Sequence, residues 1–170
     1  MSAASVIVSF VLLTVQTAGA TAPDNVKSDE GAVISGPATV VDGDGLEIDG
    51  KKIRIHGIDA PEVWQYCSRT DGTRWRCGHY STVALDRLVH RKTVSCRVRT
   101  RDQYDRAVAV CKVGTIDVGQ RQVAEGWAVA YRRYSKAYVG DEDAAREAKR
   151  GVWMGRFEMP WDYRARMRKR

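Results

Sequence analysis

Two short stretches of the sequence place acidic side chains beside glycine or proline. Asp42 and Asp44 lie in the run Asp-Gly-Asp-Gly, and Asp59 and Glu62 lie in the run Asp-Ala-Pro-Glu. Hard divalent cations bind carboxylate oxygens of this kind. Without a cation, clustered carboxylates would repel one another and some would have to stay protonated. The acidic stretches therefore favour a cation site.

Two arginines accompany these acids. Arg54 lies five residues before Asp59, and Arg106 ends the run Asp-Gln-Tyr-Asp-Arg. Taken alone, each arginine is typical of a solvated surface. Together with a dication, two guanidinium groups would neutralise the charge that grows on a phosphodiester in its transition state. Arginine suits this task because its planar fork matches two phosphate oxygens and stays protonated.

The Asp-Gly-Asp-Gly run has two other interpretations. An EF-hand loop aligned on Gly45 needs ligands at its first and twelfth positions, and those positions are Val40 and Lys51. This mismatch excludes an EF-hand. A plain reverse turn remains an alternative when the run is considered by itself.

Alternating and helical hydrophobic patterns predict the elements that would position these residues. Asp49-Gly50 between two apolar runs predicts a β-hairpin, which brings two strand ends together. Sequential strands that pair antiparallel, with helices outside, predict an α+β domain built on a small barrel or curled sheet. The strands are expected at 36–41, 46–48, 51–58, 93–100 and 107–113, and the helices at 79–90, 118–125 and 141–150.

The composition is that of one globular domain with a positive charge. The chain has 170 residues, 44% of them hydrophobic, and a formal net charge of +7. Wholesale disorder, collagen and low-complexity chains are therefore excluded. Beyond the first 22 residues, no stretch is uncharged for long enough to span a membrane.

The N-terminus is typical of a secretory signal. Residues 1–22 carry no charged side chain, and an apolar run over 4–15 precedes small-x-small sites that end at Ala20 and Ala22. We expect a signal peptide over 1–22, a polar linker over 23–35, and export to the periplasm or the medium. A retained membrane anchor is the alternative. A basic tail over 156–170 is either a solvated end or a source of non-specific phosphate attraction.

Four cysteines in an exported small domain indicate two disulfides. Cys96 and Cys111 lie in adjacent strands that we expect to be antiparallel, within disulfide range. Cys67 and Cys77 would then pair across a loop. The alternative is a metal site formed by Cys67, Cys77 and His79, which no Cys-x₂-Cys spacing supports.

The order and spacing of these motifs resemble the staphylococcal nuclease (thermonuclease) family, over roughly residues 36–155. In that family an Asp-Gly-Asp corner, an arginine five residues before an aspartate, an Asp-x-Pro-Glu turn and a Tyr-x-Arg motif build the active site. The resemblance implies an OB-fold, a five-stranded β-barrel with three α-helices, which agrees with the predicted elements. The matching positions are Asp44, Arg54, Asp59, Pro61, Glu62, Tyr104 and Arg106.

The resemblance also implies a cation site. Asp44 and Asp59 would bind one Ca²⁺ through their carboxylates, and Ala60 would offer its backbone carbonyl. Asp42 would contribute weakly or through water. Oxygen ligands alone would also admit Mg²⁺ or Mn²⁺.

By the same resemblance, the remaining matches imply phosphodiester hydrolysis. Glu62 would be the general base that activates water, and Arg54 and Arg106 would bind the scissile phosphate. Tyr104 and Tyr131 would hold the nucleotide. We therefore expect a calcium-dependent nuclease that cuts DNA and RNA with little sequence preference and leaves 3′-phosphate ends. A positive OB-fold groove favours single-stranded or breathing duplex substrates, and we expect a monomer.

Three positions depart from the family pattern. Gly45 replaces a threonine, Asp105 replaces a glycine beside Arg106, and Arg133 replaces a tyrosine, with Tyr134 one position further on.

Two other functions compete with nuclease activity. A non-catalytic OB-fold module of the cell envelope could bind nucleic acid without hydrolysis, but would not need Glu62. An envelope interaction protein would be retained at the membrane and would hydrolyse nothing.

Overall fold

The computed structural model describes Met1 and residues 29–169. The expected signal peptide and most of the expected linker lie outside the described residues. The end of that linker is part of the fold, because the first strand begins at Val33. Within the described residues, no helix combines the length and the apolar character needed to cross a bilayer.

Short strands make up three sheets in the described part of the chain. They are β1 (Val33–Pro37), β2 (Thr39–Val40), β3 (Gly45–Ile48), β4 (Lys51–Ile55), β5 (Ile58–Asp59), β6 (Cys67–Arg69), β7 (Arg74–Trp75), β8 (Thr93–Arg101), β9 (Ala107–Val113), β10 (Ile116–Asp117), β11 (Val129–Ala130) and β12 (Gly155–Arg156). The main sheet has seven strands in the order β1-β8-β9-β4-β3-β2, with β10 also paired to β9. The β4–β9 pair is parallel and the other pairs of this sheet are antiparallel. This curled mixed sheet with flanking helices is the α+β OB-fold that the resemblance implied.

The predicted hairpin connects β3 to β4. Asp49 and Gly50 both have positive φ, at 49° and 71°, which is the backbone that a two-residue turn between twisted strands requires. The turn sets the register, so that Gly45 lies opposite Arg54. The hairpin therefore brings the acidic corner beside the predicted phosphate-binding arginine.

Two of the five predicted strands are interrupted. The strand expected over 51–58 ends at Ile55, because Gly57 turns the chain with a φ of 80° before β5 begins. The strand expected over 36–41 is divided into β1, which pairs with β8, and β2, which pairs with β3. β5 leaves the main sheet and pairs with β11, where Asp59 lies opposite Val129.

The three predicted helices are present, and the structure adds a fourth. They are α1 (Cys77–Val89), α2 (Val118–Ala124) and α3 (Val139–Glu147). A 3₁₀ turn over Gly151–Met154 follows, and then α4 over Pro160–Met167. Asp117 caps the start of α2, since its Oδ1 accepts a hydrogen bond from the backbone N–H of Gln120 at 2.9 Å. Because α4 occupies Pro160–Met167, the basic tail over 156–170 is not a solvated end along this helix.

The core fills the space between the curled sheet and the helices. Its larger members, all at most 1% exposed, come from the β3–β4 hairpin, α1 and β8: Leu46, Ile48, Ile53, Ile55, Leu85, Val89 and Val94. A second, smaller cluster joins Trp75 and Val152 around the Cys67–Cys77 bridge. The hairpin that carries the acidic corner is thus anchored on its inner face by buried aliphatic side chains.

Both predicted disulfides are present. Cys96 and Cys111 lie directly opposite each other in the β8–β9 register, and Cys67 pairs with Cys77. All four sulfur atoms are used in these bonds, so Cys67 and Cys77 form no metal site with His79. The Cys67–Cys77 bridge joins β6 to the start of α1, and Cys67 follows Glu62 by a few residues.

Candidate active site

Asp44 sits in the corner between β2 and β3 and is 3% exposed. One carboxylate oxygen, Oδ2, accepts a hydrogen bond from the backbone N–H of Ala60 at 2.9 Å, and Oδ1 accepts one from Arg54 Nη1 at 3.0 Å. The backbone N–H of Asp44 donates to Oδ1 of Asp42 at 3.1 Å. These contacts fix the orientation of the buried carboxylate towards β5.

The corner approaches its neighbours closely, and two glycines make this possible. A Cβ at Gly43 would lie 2.1 Å from Ser81 Oγ and 2.6 Å from the Cβ of Ala60. A Cβ at Gly45 would lie 2.7 Å from Oδ1 of Asp42. The glycine at position 45, where a threonine is expected, therefore leaves the room that Asp42 occupies.

Arg54 connects the two aspartates. Its Nη1 donates to Asp44 at 3.0 Å, and its Nη2 donates to Oδ1 of Asp59 at 2.7 Å. Asp59, on β5, is 0% exposed. Because both carboxylates bind one planar guanidinium, they converge on the same region of the site.

Arg164, from α4, brings a second guanidinium group to Asp59 and also binds Glu62. Its Nη2 donates to Asp59 Oδ2 at 2.7 Å, and its Nη1 donates to Asp59 Oδ1 at 3.0 Å. The same Nη1 also donates to Oε1 of Glu62 at 2.8 Å. Arg164 therefore bridges the carboxylate proposed to hold the cation and the carboxylate proposed as the base.

The backbone of Glu62 is held by a buried glutamine. Gln65 is 0% exposed; its Oε1 accepts a hydrogen bond from the Glu62 N–H at 3.2 Å, and its Nε2 donates to the carbonyl of Glu158 at 2.6 Å. The Glu62 side chain is 37% exposed. The carboxylate can therefore reach solvent in the cleft while its backbone is fixed.

Burial and charge together perturb this site. The pKa of Asp44 is raised to about 8, mainly by burial; Arg54 opposes this rise, and the neighbouring carboxylates of Asp42 and Asp59 add to it. Burial alone would lower the pKa of Arg164, but its bonds to Asp59 and Glu62 hold it above the usual value. The guanidinium of Arg54 therefore favours the charged form of Asp44, which burial opposes.

Arg106 lines the same cleft, but its side chain is bound elsewhere. Its Nε donates to Oδ2 of Asp102 at 2.7 Å, and the guanidinium lies 5.6 Å from the ring centroid of Tyr104. Asp105 has a φ of 60°, in the left-handed region that the expected glycine would favour. The Asp105 carboxylate pairs with Arg101 at 3.0 Å rather than with Arg106.

Most of the predicted side chains line one open cleft of about 1080 Å³, whereas Asp59 is fully buried and does not line it. Aromatic groups form one wall of this cleft. Tyr131 stacks on Trp161 of α4, with ring centroids 5.4 Å apart and planes 7° apart, and Tyr134 meets Tyr131 edge-on at 4.9 Å. The lining includes Asp42, Asp44, Arg54, Ala60, Glu62, Tyr104, Arg106, Tyr131 and Arg164.

Comparison with known proteins identifies the family of this chain. The sequence model of the family described as "Staphylococcal nuclease homologue" matches residues 52–155. The chain belongs to this family. The succinoglycan biosynthesis protein ExoI of Rhizobium meliloti (strain 1021) is 35% identical over 130 residues, which cover 74% of this chain and 68% of the relative.

Two further relatives of this staphylococcal nuclease homologue are named as nucleases. An uncharacterized endonuclease of Escherichia coli is 36% identical over 135 residues, which cover 75% of this chain and 82% of the relative. The probable staphylococcal-like nuclease CAN4 of Oryza sativa subsp. japonica is 34% identical over 131 residues, which cover 74% of this chain and 24% of the relative. The chain thus spans about a quarter of the rice protein. These names support a nuclease function in general.

The donor set of this family member fits a hard cation in its chemistry. The carboxylates of Asp44 and Asp59 converge, and both are oxygen ligands of the type that Ca²⁺ and Mg²⁺ prefer. Within residues 29–169, no group of three or more His, Cys, Asp or Glu side chains lies close enough together to hold a metal ion by side chains alone. A cation here would be held by two carboxylates together with backbone or water oxygens.

Sequence reasoning missed Arg164 and Trp161. It treated the tail as a run of basic residues, although Pro160 at the first helical position and Asp162 in the first turn are ordinary signals of a helix start. Those signals could have predicted α4. The contact with Asp59 could not be predicted, because the two residues are 105 positions apart in the chain.

Proposed function

We propose that this protein is an exported, calcium-dependent nuclease that hydrolyses phosphodiester bonds in DNA and RNA with low sequence specificity and leaves 3′-phosphate ends. The observation that carries this proposal is the convergence of Asp44 and the buried Asp59 on Arg54, at an open cleft that Asp44, Arg54 and Glu62 line. Acids and guanidinium groups in contact at one place are the groups that phosphodiester hydrolysis requires.

Glu62 is the proposed general base. Its side chain reaches solvent in the cleft, so it can accept a proton from a water molecule there. Gln65 holds the Glu62 backbone, which fixes the origin of the side chain relative to Asp59. A positioned base contributes roughly 10²–10⁴-fold to the rate.

Arg54 and Arg106 are the proposed phosphate ligands. Arg54 already points at the carboxylates, and its pKa lies above its usual value because Asp44 and Asp59 outweigh the effect of burial, so it stays charged. Arg106 would have to leave Asp102 to reach a phosphate at the carboxylates. Negative charge on the phosphoryl oxygens would be stabilised by these groups as the bond to the leaving oxygen breaks.

The proposed cation ligands are the carboxylates of Asp44 and Asp59 and the backbone carbonyl of Ala60, with Asp42 as a weaker contributor. When bound, Ca²⁺ would polarise the phosphoryl group and neutralise charge that develops on its oxygens. The chain's part is to hold the carboxylates: the Ala60 N–H fixes Asp44, and β5 pairing with β11 fixes Asp59.

The proposed substrate is a single strand or a locally opened duplex, bound by a monomer. Tyr104 and Tyr131 offer aromatic faces in the cleft, and the rings of Tyr134 and Trp161 extend the wall around Tyr131. Bases stack on such rings with little regard to sequence, and the net charge of +7 attracts the backbone.

A non-catalytic nucleic-acid-binding module is the second candidate. The observation in its favour is that guanidinium groups bind both carboxylate oxygens of Asp59. Oxygens held in this way are not free to bind the cation that hydrolysis would need. The experiment that separates the two is cleavage of labelled single-stranded DNA and RNA by the oxidised protein with Ca²⁺, with Mg²⁺ and with chelator, followed by end-group analysis. Calcium-dependent products with 3′-phosphates would support the nuclease. A strand that is bound but never cut would favour the binding module.

A further inference from the structure

The C-terminal helix contributes two side chains to the active-site cleft. Trp161 and Arg164 are three positions apart on α4, so they lie on one face of the helix. Trp161 stacks on Tyr131, and Arg164 binds Asp59 and Glu62. The helix thus places an aromatic ring and a positive charge side by side in the cleft.

Arg164, rather than Arg106, is the second guanidinium at the buried carboxylates. Arg106 donates to Asp102 and lies against Tyr104. Arg164 makes three hydrogen bonds to Asp59 and Glu62, at 2.7, 2.8 and 3.0 Å. A phosphodiester close enough for Glu62 to activate water would therefore lie beside Arg164.

The charge of the cleft calls for such a group. Carboxylates at this place would repel an anionic substrate, and Arg54 and Arg164 are the two guanidinium groups of the described residues that bind Asp59. The cleft keeps its volume of about 1080 Å³ with α4 in place, so the helix forms a wall and does not fill the site. The cleft is therefore open to solvent with α4 in place.

We propose that Arg164 is a further active-site residue, which binds the phosphate of the substrate next to Glu62. This proposal rests on the proposed nuclease function. Arg164 holds the two carboxylates in position before the substrate arrives and transfers hydrogen bonds to the phosphate oxygens when it binds. A planar guanidinium suits both partners, because it can donate two parallel hydrogen bonds to a carboxylate or to a phosphate.

The test compares Arg164→Gln and Arg164→Lys with Arg166→Gln. Arg166 lies on the same helix, and its guanidinium binds the exposed carboxylate of Glu158 instead of the cleft. We expect kcat/KM on single-stranded DNA to fall about 10²-fold in Arg164→Gln, less in Arg164→Lys, and not at all in Arg166→Gln. Arg164→Lys keeps the charge, so it remains informative if Arg164→Gln folds poorly.

A binding measurement keeps this proposal separate from the nuclease proposal. It uses a fluorescent oligodeoxynucleotide of about eight nucleotides, Ca²⁺ and the Glu62→Gln background, over a series of salt concentrations. Loss of one phosphate contact should reduce the slope of log K against log salt by about 0.7 in Arg164→Gln and leave it unchanged in Arg166→Gln. This readout does not depend on cleavage.

Two results would overturn the proposal. If Arg164→Gln cleaves faster than the wild type, or binds Ca²⁺ more tightly with an unchanged salt slope, Arg164 blocks the carboxylates and does not bind the phosphate. If Arg164→Gln matches Arg166→Gln in both readouts, its contacts are structural only. If the wild type cleaves nothing while the salt slope changes as expected, the nuclease proposal fails and Arg164 remains a phosphate ligand.

Discussion

The substitution Gly43→Ala tests whether close packing of the acidic corner positions the site. A Cβ at this position would lie 2.1 Å from Ser81 Oγ and 2.6 Å from the Cβ of Ala60, whereas favourable contacts are about 3.5–4.0 Å. The corner and β5 must therefore separate by roughly 1 Å. Ser81 could rotate away only by losing its 2.7 Å hydrogen bond to the carbonyl of Trp127.

The expected cost has two parts. Overpacking of this kind costs about 1–3 kcal/mol. For a chain of this size that lowers the melting temperature by several degrees, since each kcal/mol corresponds to about 2–4 °C. The backbone N–H of Ala60 also holds Asp44, so the same movement displaces the carboxylate, and a shift of about 1 Å can cost about 10²-fold in rate.

The assay is thermal unfolding together with kcat/KM on single-stranded DNA, with Gly140→Ala as the matched control. Gly140 lies in the first turn of α3 and has nothing within 4 Å of an added Cβ. This control should keep its activity and gain up to about 1 kcal/mol of stability from its better helix propensity. Wild-type stability and activity in Gly43→Ala would refute the argument that corner packing sets the geometry.

Two further predictions concern the charge and the crosslink of the site's scaffold. Arg54→Gln should lower kcat/KM about 10²–10³-fold and should also lower the melting temperature, because Asp44 loses its guanidinium partner; an active variant of unchanged stability would contradict both roles of Arg54. The paired change Cys96→Ser and Cys111→Ser should cost about 3 kcal/mol of unfolding free energy, since the bridge closes 15 residues. Denaturant unfolding measures that cost, and a value near zero would show that the bridge does not constrain the unfolded chain.

The sequence predicted the local features that place the acids and failed at longer range. Asp49-Gly50 forms the expected hairpin turn, because few residue pairs accept two positive φ values in succession. Cys96 and Cys111 lie opposite each other because side chains alternate between the two faces of β8 and β9, which places both cysteines on the same face. Each of these predictions depended on a few neighbouring residues.

The partners of the arginines show the limits of that reasoning. Arg106 binds Asp102, which lies four positions away in the chain. The family pattern implied a phosphate-binding role for Arg106 without regard to this neighbouring acid. Arg164 meets Asp59 because α4 forms a wall of the cleft, which depends on the packing of Pro160 and Trp161 rather than on a local pattern. The role of a charged side chain therefore could not be predicted without knowing its partner.

The most direct test of the account is single-turnover cleavage of single-stranded DNA by the oxidised protein with Ca²⁺, comparing wild type with Glu62→Gln. Glu147→Gln, an exposed change in α3, is the matched control. We expect Glu62→Gln to bind the strand but to cut it about 10²–10⁴-fold more slowly, and Glu147→Gln to cut as the wild type does. Cleavage by Glu62→Gln at the wild-type rate would contradict the assignment of hydrolysis to this site.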